Sequence, residues 1–324
     1  MGRRRRLHAP SDLPVIDIGA LRRGESLPLR RVANQIVAAA EHLGCFYVSN
    51  HGVAKDVLAR ADQEARQFFA QGQDQTRRVE SNQQHRGFLE VGHAALAGAS
   101  RPNLPESFTW GIEIEPEEEP AVPNNPFLGP NHWPSDRPGF REALTDYFHA
   151  ASRVGIDLLR AFALSMDIDE QTFVQDFDYP ISRGSAIYYP PLPSETADEP
   201  FGVSPHTDFG CITVLYQDPI GGLEVKNRAG EWVFATPIPD TFVVNVGDLL
   251  SRWTNDRFQS TAHRVRNISG RERLSLGVFV DPNFETIIDP RVVCHGDDEP
   301  HYPPVRCGDY ILDRYEGVFA YRRQ

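Results

Sequence analysis

At 324 residues, with 40% hydrophobic and 24% charged side chains, the chain can bury a substantial core and has an ordinary globular composition. No apolar run approaches the roughly 20 residues that a membrane-crossing helix needs, and a net charge of −12 would be repelled by nucleic-acid phosphates. Neither a membrane protein nor a nucleic-acid binder is expected.

Arg3, Arg4, Arg5 and Arg6 crowd the N-terminus, but His8, Ala9, Pro10 and Ser11 follow where a secretory signal would be apolar, so residues 1–12 read as a basic, solvated tail. Residues 13–18 form a short strand interrupted by Pro14. Val32, Ile36, Ala39, Ala40 and Leu43 then recur at helical spacing until Gly44. Residues 45–48 read as a second strand, turned by Asn50-His51-Gly52 into a helix over about 53–70. Over 81–133 the periodicity lapses, prolines multiply and residues 113–119 carry an acidic run. That predicts irregular surface folded over a site. Phe140, Leu144, Tyr147, Phe148, Ala151, Val154, Leu158 and Phe162 describe one long helix with a buried stripe, supporting the core from outside. Six short β-rich runs follow, at 186–189, 211–217, 222–225, 242–246, 263–266 and 274–280, separated by turn signals such as Gly221-Gly222 and Ser269-Gly270. The expected fold is mainly β with flanking α-helices, built on a double-stranded β-helix, or jelly roll. Cys45, Cys211, Cys294 and Cys307 are too scattered for a zinc motif or a redox pair, and they fit a reducing cytoplasm.

Within this β-rich half, His206 and Asp208 are separated by one residue, so on an extended backbone both side chains leave the same face. His263 comes 57 residues after His206 and opens another predicted strand, far enough for intervening strands to return it beside the pair. Two imidazoles and a carboxylate on one face of a metal leave the opposite face open, which suits Fe(II) that activates O2 with a chelating co-substrate. By itself an H-x-D sequence is weak, since it arises by chance. Arg273 and Ser275 share one face of an otherwise apolar strand. A buried guanidinium needs an anion, and its planar fork matches a carboxylate. A dicarboxylate co-substrate would supply one; the alternative is an internal Arg–Asp or Arg–Glu pair.

Seven stretches, in order, resemble the isopenicillin N synthase-like family of 2-oxoglutarate/Fe(II)-dependent dioxygenases. They begin at Leu13, Gly44, Tyr188, His206, Val244, Ser260 and Arg273. The resemblance spans nearly the whole chain. It implies Fe(II) held by His206, Asp208 and His263, and the distal carboxylate of 2-oxoglutarate held by Arg273, Ser275 and Tyr189. Ile187 stands where such enzymes often carry Asn, which removes one polar contact. The turn at Asn245, Gly247 and Asp248 reads as structural, and His51 as a turn residue.

The implied division is a tail at 1–12, an N-terminal dioxygenase region at 13–130, a supporting helix at 131–180, the catalytic jelly roll at 181–285 and a C-terminal extension at 286–324 that packs on it. The implied reaction couples oxidative decarboxylation of 2-oxoglutarate by O2 to oxidation of a small-molecule substrate, with ascorbate as a stimulant. Hydroxylation is the default, and the carboxylate ligand argues against halogenation. The competing readings are a same-family Fe(II) oxidase that does not use 2-oxoglutarate, and a non-catalytic jelly-roll binding protein. Candidate substrate contacts are Phe279, Phe284, Arg86, Arg101 and Phe108. The sequence does not fix the substrate or the oligomeric state.

Overall fold

The computed structural model describes residues 13–23, 26–90, 105–114, 125–191, 202–267, 269–296 and 298–318. The basic tail, Arg101 and most of the acidic run, 115–119, lie outside the described residues. The chain opens with strand β1 (Val15–Asp17), helices α1 (Gly19–Arg23) and α2 (Ser26–His42), strand β2 (Cys45–Ser49), and helices α3 (Lys55–Phe69) and α4 (Gln73–Thr76). Strands β3 (Gly87–Leu89) and β4 (Glu106–Gly111) precede the long helix α5 (Pro138–Ser165). Next come β5 (Arg183–Tyr189), β6 (Val203–His206), β7 (Ile212–Gln217), β8 (Leu223–Lys226), β9 (Trp232–Phe234) and β10 (Thr241–Val246). After helix α6 (Asp248–Trp253) follow β11 (His263–Val265), β12 (Arg273–Val280), β13 (Ile287–Ile288), β14 (Val305–Arg306) and helix α7 (Cys307–Val318).

Eight strands in the order β1-β2-β10-β7-β12-β5-β4-β3 make the major sheet, and β6-β11-β8-β9 the minor one. This is the jelly-roll architecture expected. The segment predicted to be irregular contributes β3 and β4 to the major sheet, so that expectation is corrected for 87–89 and 106–111. Alternation along the strands assigns the two faces. Leu274, Leu276, Val278 and Val280 of β12, in register with Tyr216, Val214 and Ile212 of β7 and with Tyr188, Ala186 and Gly184 of β5, point to the helix side. Arg273, Ser275, Gly277 and Phe279 point the other way, toward the minor sheet.

Two cores follow from this. On the helix side, α5 lays Phe140, Leu144, Tyr147, Ala151, Val154, Leu158 and Phe162 against the major sheet, each fully buried or nearly so. Burial of each large side chain contributes about 1.5–3 kcal/mol. The helix starts with Pro138 in its first turn, where the missing N–H costs nothing. It comes so close to β12 that a Cβ on Gly155 would lie 2.6 Å from Val280 Cγ2. Between the sheets, Tyr47, Tyr189, Leu223, Val225, Val243 and Val265 form a smaller core. Gly44 ends α2 at φ +70°, and its N–H closes back on the Ala39 carbonyl at 3.0 Å. The next residue therefore starts β2 on the edge of this inner core.

Candidate metal and co-substrate site

His206 and His263 are directly opposite each other in the β6–β11 pair, so the 57-residue separation is closed by antiparallel pairing. Their ring centroids lie 4.3 Å apart. Asp208 joins them by a different route from the one the sequence predicts. His206 is the last residue of β6, and Asp208 lies beyond the strand, so alternation on an extended backbone does not place it. The Asp248 N–H instead fixes the Asp208 carbonyl at 2.8 Å, and the Thr213 hydroxyl donates to Asp208 Oδ2 at 2.7 Å. Oδ1 is then left facing His263 Nε2 at 3.6 Å and His206 Nε2 at 3.9 Å.

Both imidazoles are oriented from behind. His206 Nδ1 lies 2.8 Å from the Ser204 carbonyl and His263 Nδ1 3.2 Å from the Thr261 carbonyl. A carbonyl can only accept, so Nδ1 carries a proton, which in the neutral ring leaves the lone pair on Nε2, the tautomer that a metal needs. Among the described residues, this trio is the one His/Cys/Asp/Glu group with the geometry to hold a metal, its ligand atoms lying within 4.8 Å of one another. Burial, then repulsion from His263, pushes the His206 pKa down to about 4, so the ring is neutral near neutral pH. Burial alone would raise the Asp208 pKa, but His263 and His206 outweigh it and hold the carboxyl below its ordinary range. Two imidazoles and an anionic carboxylate suit a hard-to-borderline divalent cation with open positions.

Arg273 is completely buried on the inner face of β12. Its Nε donates to the Gly221 carbonyl at 2.6 Å, its Nη1 to Ser275 Oγ at 3.2 Å, and its guanidinium stacks 4.5 Å from the Tyr189 ring centre. Nη2 has no partner. Among the described residues, the internal ion pair left open by the sequence does not form: Asp218 accepts instead from Arg66 at 2.8 Å and from the Leu274 N–H at 2.8 Å. An orphaned donor on a buried cation is costly, and an incoming carboxylate would satisfy it. Burial raises the Tyr189 pKa against the opposing pull of Arg273, so its hydroxyl stays protonated. Ile187 faces Ser275 across the β5–β12 pair and is part of the inner apolar wall.

The candidate substrate contacts separate. Phe279 shares the inner face with Arg273. Phe108 is in register with Ala186, which puts it on the helix side, where it packs against Phe68, Trp133 and Phe140 with no exposed surface. Phe284 is buried near the C-terminal helix, its ring centre 6.2 Å from that of Phe127 and under the Arg306 guanidinium. Phe108 is corrected from a substrate contact to a core residue. Arg86 is buried, donates from Nη2 to the Phe127 carbonyl at 2.7 Å and lies against Gly111. His51 accepts the Val53 N–H on Nδ1 at 3.2 Å and packs its ring on Phe242.

Three contributors escape a reading of the sequence. Thr213 braces Asp208. Asp248, read as part of a structural turn, takes hydrogen bonds from Thr207 at 3.1 Å and Ser260 at 2.6 Å, tying together the loops that carry Asp208 and His263. Arg183 projects onto the inner face opposite Phe279, and only the observed register reveals it.

Known proteins carry the same pattern. The sequence family described as the 2OG-Fe(II) oxygenase superfamily matches residues 180–282, and the one described as non-haem dioxygenase in morphine synthesis N-terminal matches residues 13–136. The 2-oxoglutarate-Fe(II) type oxidoreductase hxnY of Emericella nidulans is 30% identical over 98% of this chain and 94% of its own. Homoarginine-6-hydroxylase 2-ODD-233 of Oryza sativa is 31% identical over 87% and 89%. The crystal structure of a full-length Neurospora crassa protein in complex with alpha-KG and thymine superposes with a TM-score of 0.84 at 28% identity, covering 94% of this chain and 96% of that one. With likeness to hxnY extending almost end to end through both chains, the protein belongs to the 2OG-Fe(II) oxygenase superfamily and is an oxidoreductase that uses Fe(II), 2-oxoglutarate and O2.

Proposed function

We propose that His206 Nε2, Asp208 Oδ1 and His263 Nε2 ligate the iron, that Arg273, Ser275 and Tyr189 hold the distal carboxylate of 2-oxoglutarate, and that the protein hydroxylates a small molecule. One observation carries the reading: the three ligand atoms and the unpartnered Arg273 Nη2 are presented to the same space between the two sheets. Once bound, iron and 2-oxoglutarate supply the O2 activation that couples decarboxylation to substrate oxidation. The chain supplies position and dryness. The Ser204 and Thr261 carbonyls fix the imidazoles, Thr213 leaves one Asp208 oxygen free, and Arg273 sets the co-substrate's orientation through a fork that its stacking on Tyr189 holds in plane. Leu223, Val225 and Val265 line the inner core and exclude water there.

Hydroxylation of a small molecule is supported by two relatives: the Neurospora crassa protein holds thymine, and the rice protein is named a homoarginine hydroxylase. The four free cysteines fit a reducing compartment, in keeping with a cytoplasmic enzyme. Among the described residues, no helix is long and apolar enough to cross a membrane. Screening small metabolites with Fe(II), 2-oxoglutarate and O2, with ascorbate as stimulant, tests the proposal. A hit must raise succinate formation and yield a product heavier by one oxygen atom. Product formation without succinate would refute it in favour of an oxidase that does without 2-oxoglutarate.

A further inference from the structure

Arg183 has no contact ion pair among the described residues, although its charge is felt by the buried carboxylates of Asp281 and Asp208. Among the described residues its side chain makes no hydrogen bond and has no carboxylate at ion-pair distance, while its guanidinium carbon lies 4.0 Å from the ring centre of Phe279 and 4.8 Å from that of Tyr315. It lies on the inner face of β5, six residues before Tyr189 on the same strand and opposite Phe279 on the strand that carries Arg273. Its charge reaches the metal site, where it helps to keep Asp208 ionised. Immediately behind it, Arg86 lies against Gly111, the residue in register with Arg183 on β4. Arg86 is buried, and among the described residues its guanidinium donates to the Phe127 carbonyl alone. Burial and the Arg183 charge push its pKa down to about 10, so the two guanidiniums repel each other.

Among the described residues, the carboxylate on which the Arg183 charge acts most directly is that of Asp281, whose pKa it pulls down against burial. That carboxylate is buried, accepts the Cys211 N–H at 2.7 Å and leaves its second oxygen unpartnered, with no ion pair to Arg183. A guanidinium that meets aromatic rings and makes no hydrogen bond keeps its N–H donors for a ligand, and its edge matches a planar carboxylate. Resting on the iron and 2-oxoglutarate reading above, we infer that Arg183, reinforced by Arg86, is the binding residue for an anionic group of the substrate. The substrate class is then a small carboxylic acid whose apolar body lies along Phe279.

The test uses full-length protein loaded anaerobically with Mn(II) and 2-oxoglutarate. Dissociation constants are measured for octanoate, phenylacetate and benzoate and for their primary amides. Loading comes first: a wild type that binds neither Mn(II) nor 2-oxoglutarate would overturn the underlying reading, and this inference with it. In loaded wild type, at least one acid should bind about ten- to a hundredfold more tightly than its amide. Arg183→Gln should erase that preference while leaving the 2-oxoglutarate affinity unchanged. Arg183→Lys keeps a cation beside Asp281, and so guards the fold, yet should recover only part of the acid affinity. Equal binding of acids and amides, or of none of them, overturns the inference. So does an Arg183→Gln variant that loses 2-oxoglutarate instead, which would assign the cation to the co-substrate. A variant that keeps acid binding but melts earlier also overturns it, making Arg183 the countercharge of Asp281.

Discussion

Arg273→Leu should weaken 2-oxoglutarate binding sharply while Fe(II) still binds within a few-fold of wild type. The guanidinium is fully buried, two of its nitrogens are engaged by Gly221 and Ser275, and Nη2 is left for the incoming carboxylate. Removing one partner of such a buried, charge-assisted pair costs about 2–5 kcal/mol. That corresponds to roughly 30- to several-thousand-fold in the dissociation constant. The fold should survive, because Asp218 keeps both Arg66 and the Leu274 N–H, and the substitution strands little besides the Gly221 carbonyl, worth about 1–3 kcal/mol. Arg273→Lys should restore only part of the affinity, since a point charge cannot reproduce the fork. The assay is an anaerobic titration of 2-oxoglutarate into Fe(II)-loaded variant, paired with its melting curve. Unchanged affinity in a folded, iron-loaded Arg273→Leu protein would refute the reasoning.

Alanine at His206, Asp208 or His263 should each remove most iron affinity, measured as bound metal per chain, whereas His51→Gln should keep full metal content because His51 serves a turn. Thr213→Val deletes the hydrogen bond to Asp208 Oδ2 and should lower iron affinity about 10- to 100-fold, read by competition with a chelator. In metal-free protein, His206 should contribute a loss of stability as the pH falls from 6.5 toward 4. In that window the unfolded chain protonates His206 and the folded one, with its pKa near 4, does not. Asp281 works in the opposite sense, because burial raises its pKa to about 6 and the folded chain takes up that proton first. Comparing wild type with His206→Gln isolates the histidine term, and parallel melting temperatures across the window would contradict it.

Much of this is legible in the sequence because the elements that matter bury one face. The stripe from Phe140 to Phe162 and the run from Leu274 to Val280 each show their period, and α5 and β12 lie where that period puts them. Strand β4 also alternates, with Phe108 and Trp110 between Ser107 and Thr109, but its polar face turns into the protein rather than to solvent. Surrounding prolines obscure that pattern, and Phe108 falls on the face opposite to the one a substrate contact needs. Strand β6 contains Pro205, which speaks against a strand until the sheet order shows β6 at an edge, where the missing N–H is tolerated. The metal trio is legible by residue type, yet its geometry is not. Asp208 is aimed by Thr213 and by the Asp248 backbone, and no spacing rule encodes those contacts. Arg183 gives no signal at all, because what singles it out is a three-dimensional setting of aromatic rings with no hydrogen-bond partner among the described residues.

The central claim is that three named atoms converge on one iron. Anomalous diffraction at the iron edge, from a crystal grown anaerobically with Fe(II), tests it most directly. The account predicts a single strong peak within coordination distance of His206 Nε2, His263 Nε2 and Asp208 Oδ1, lost in Asp208→Ala. A peak elsewhere, or none in protein that carries stoichiometric iron, would contradict it.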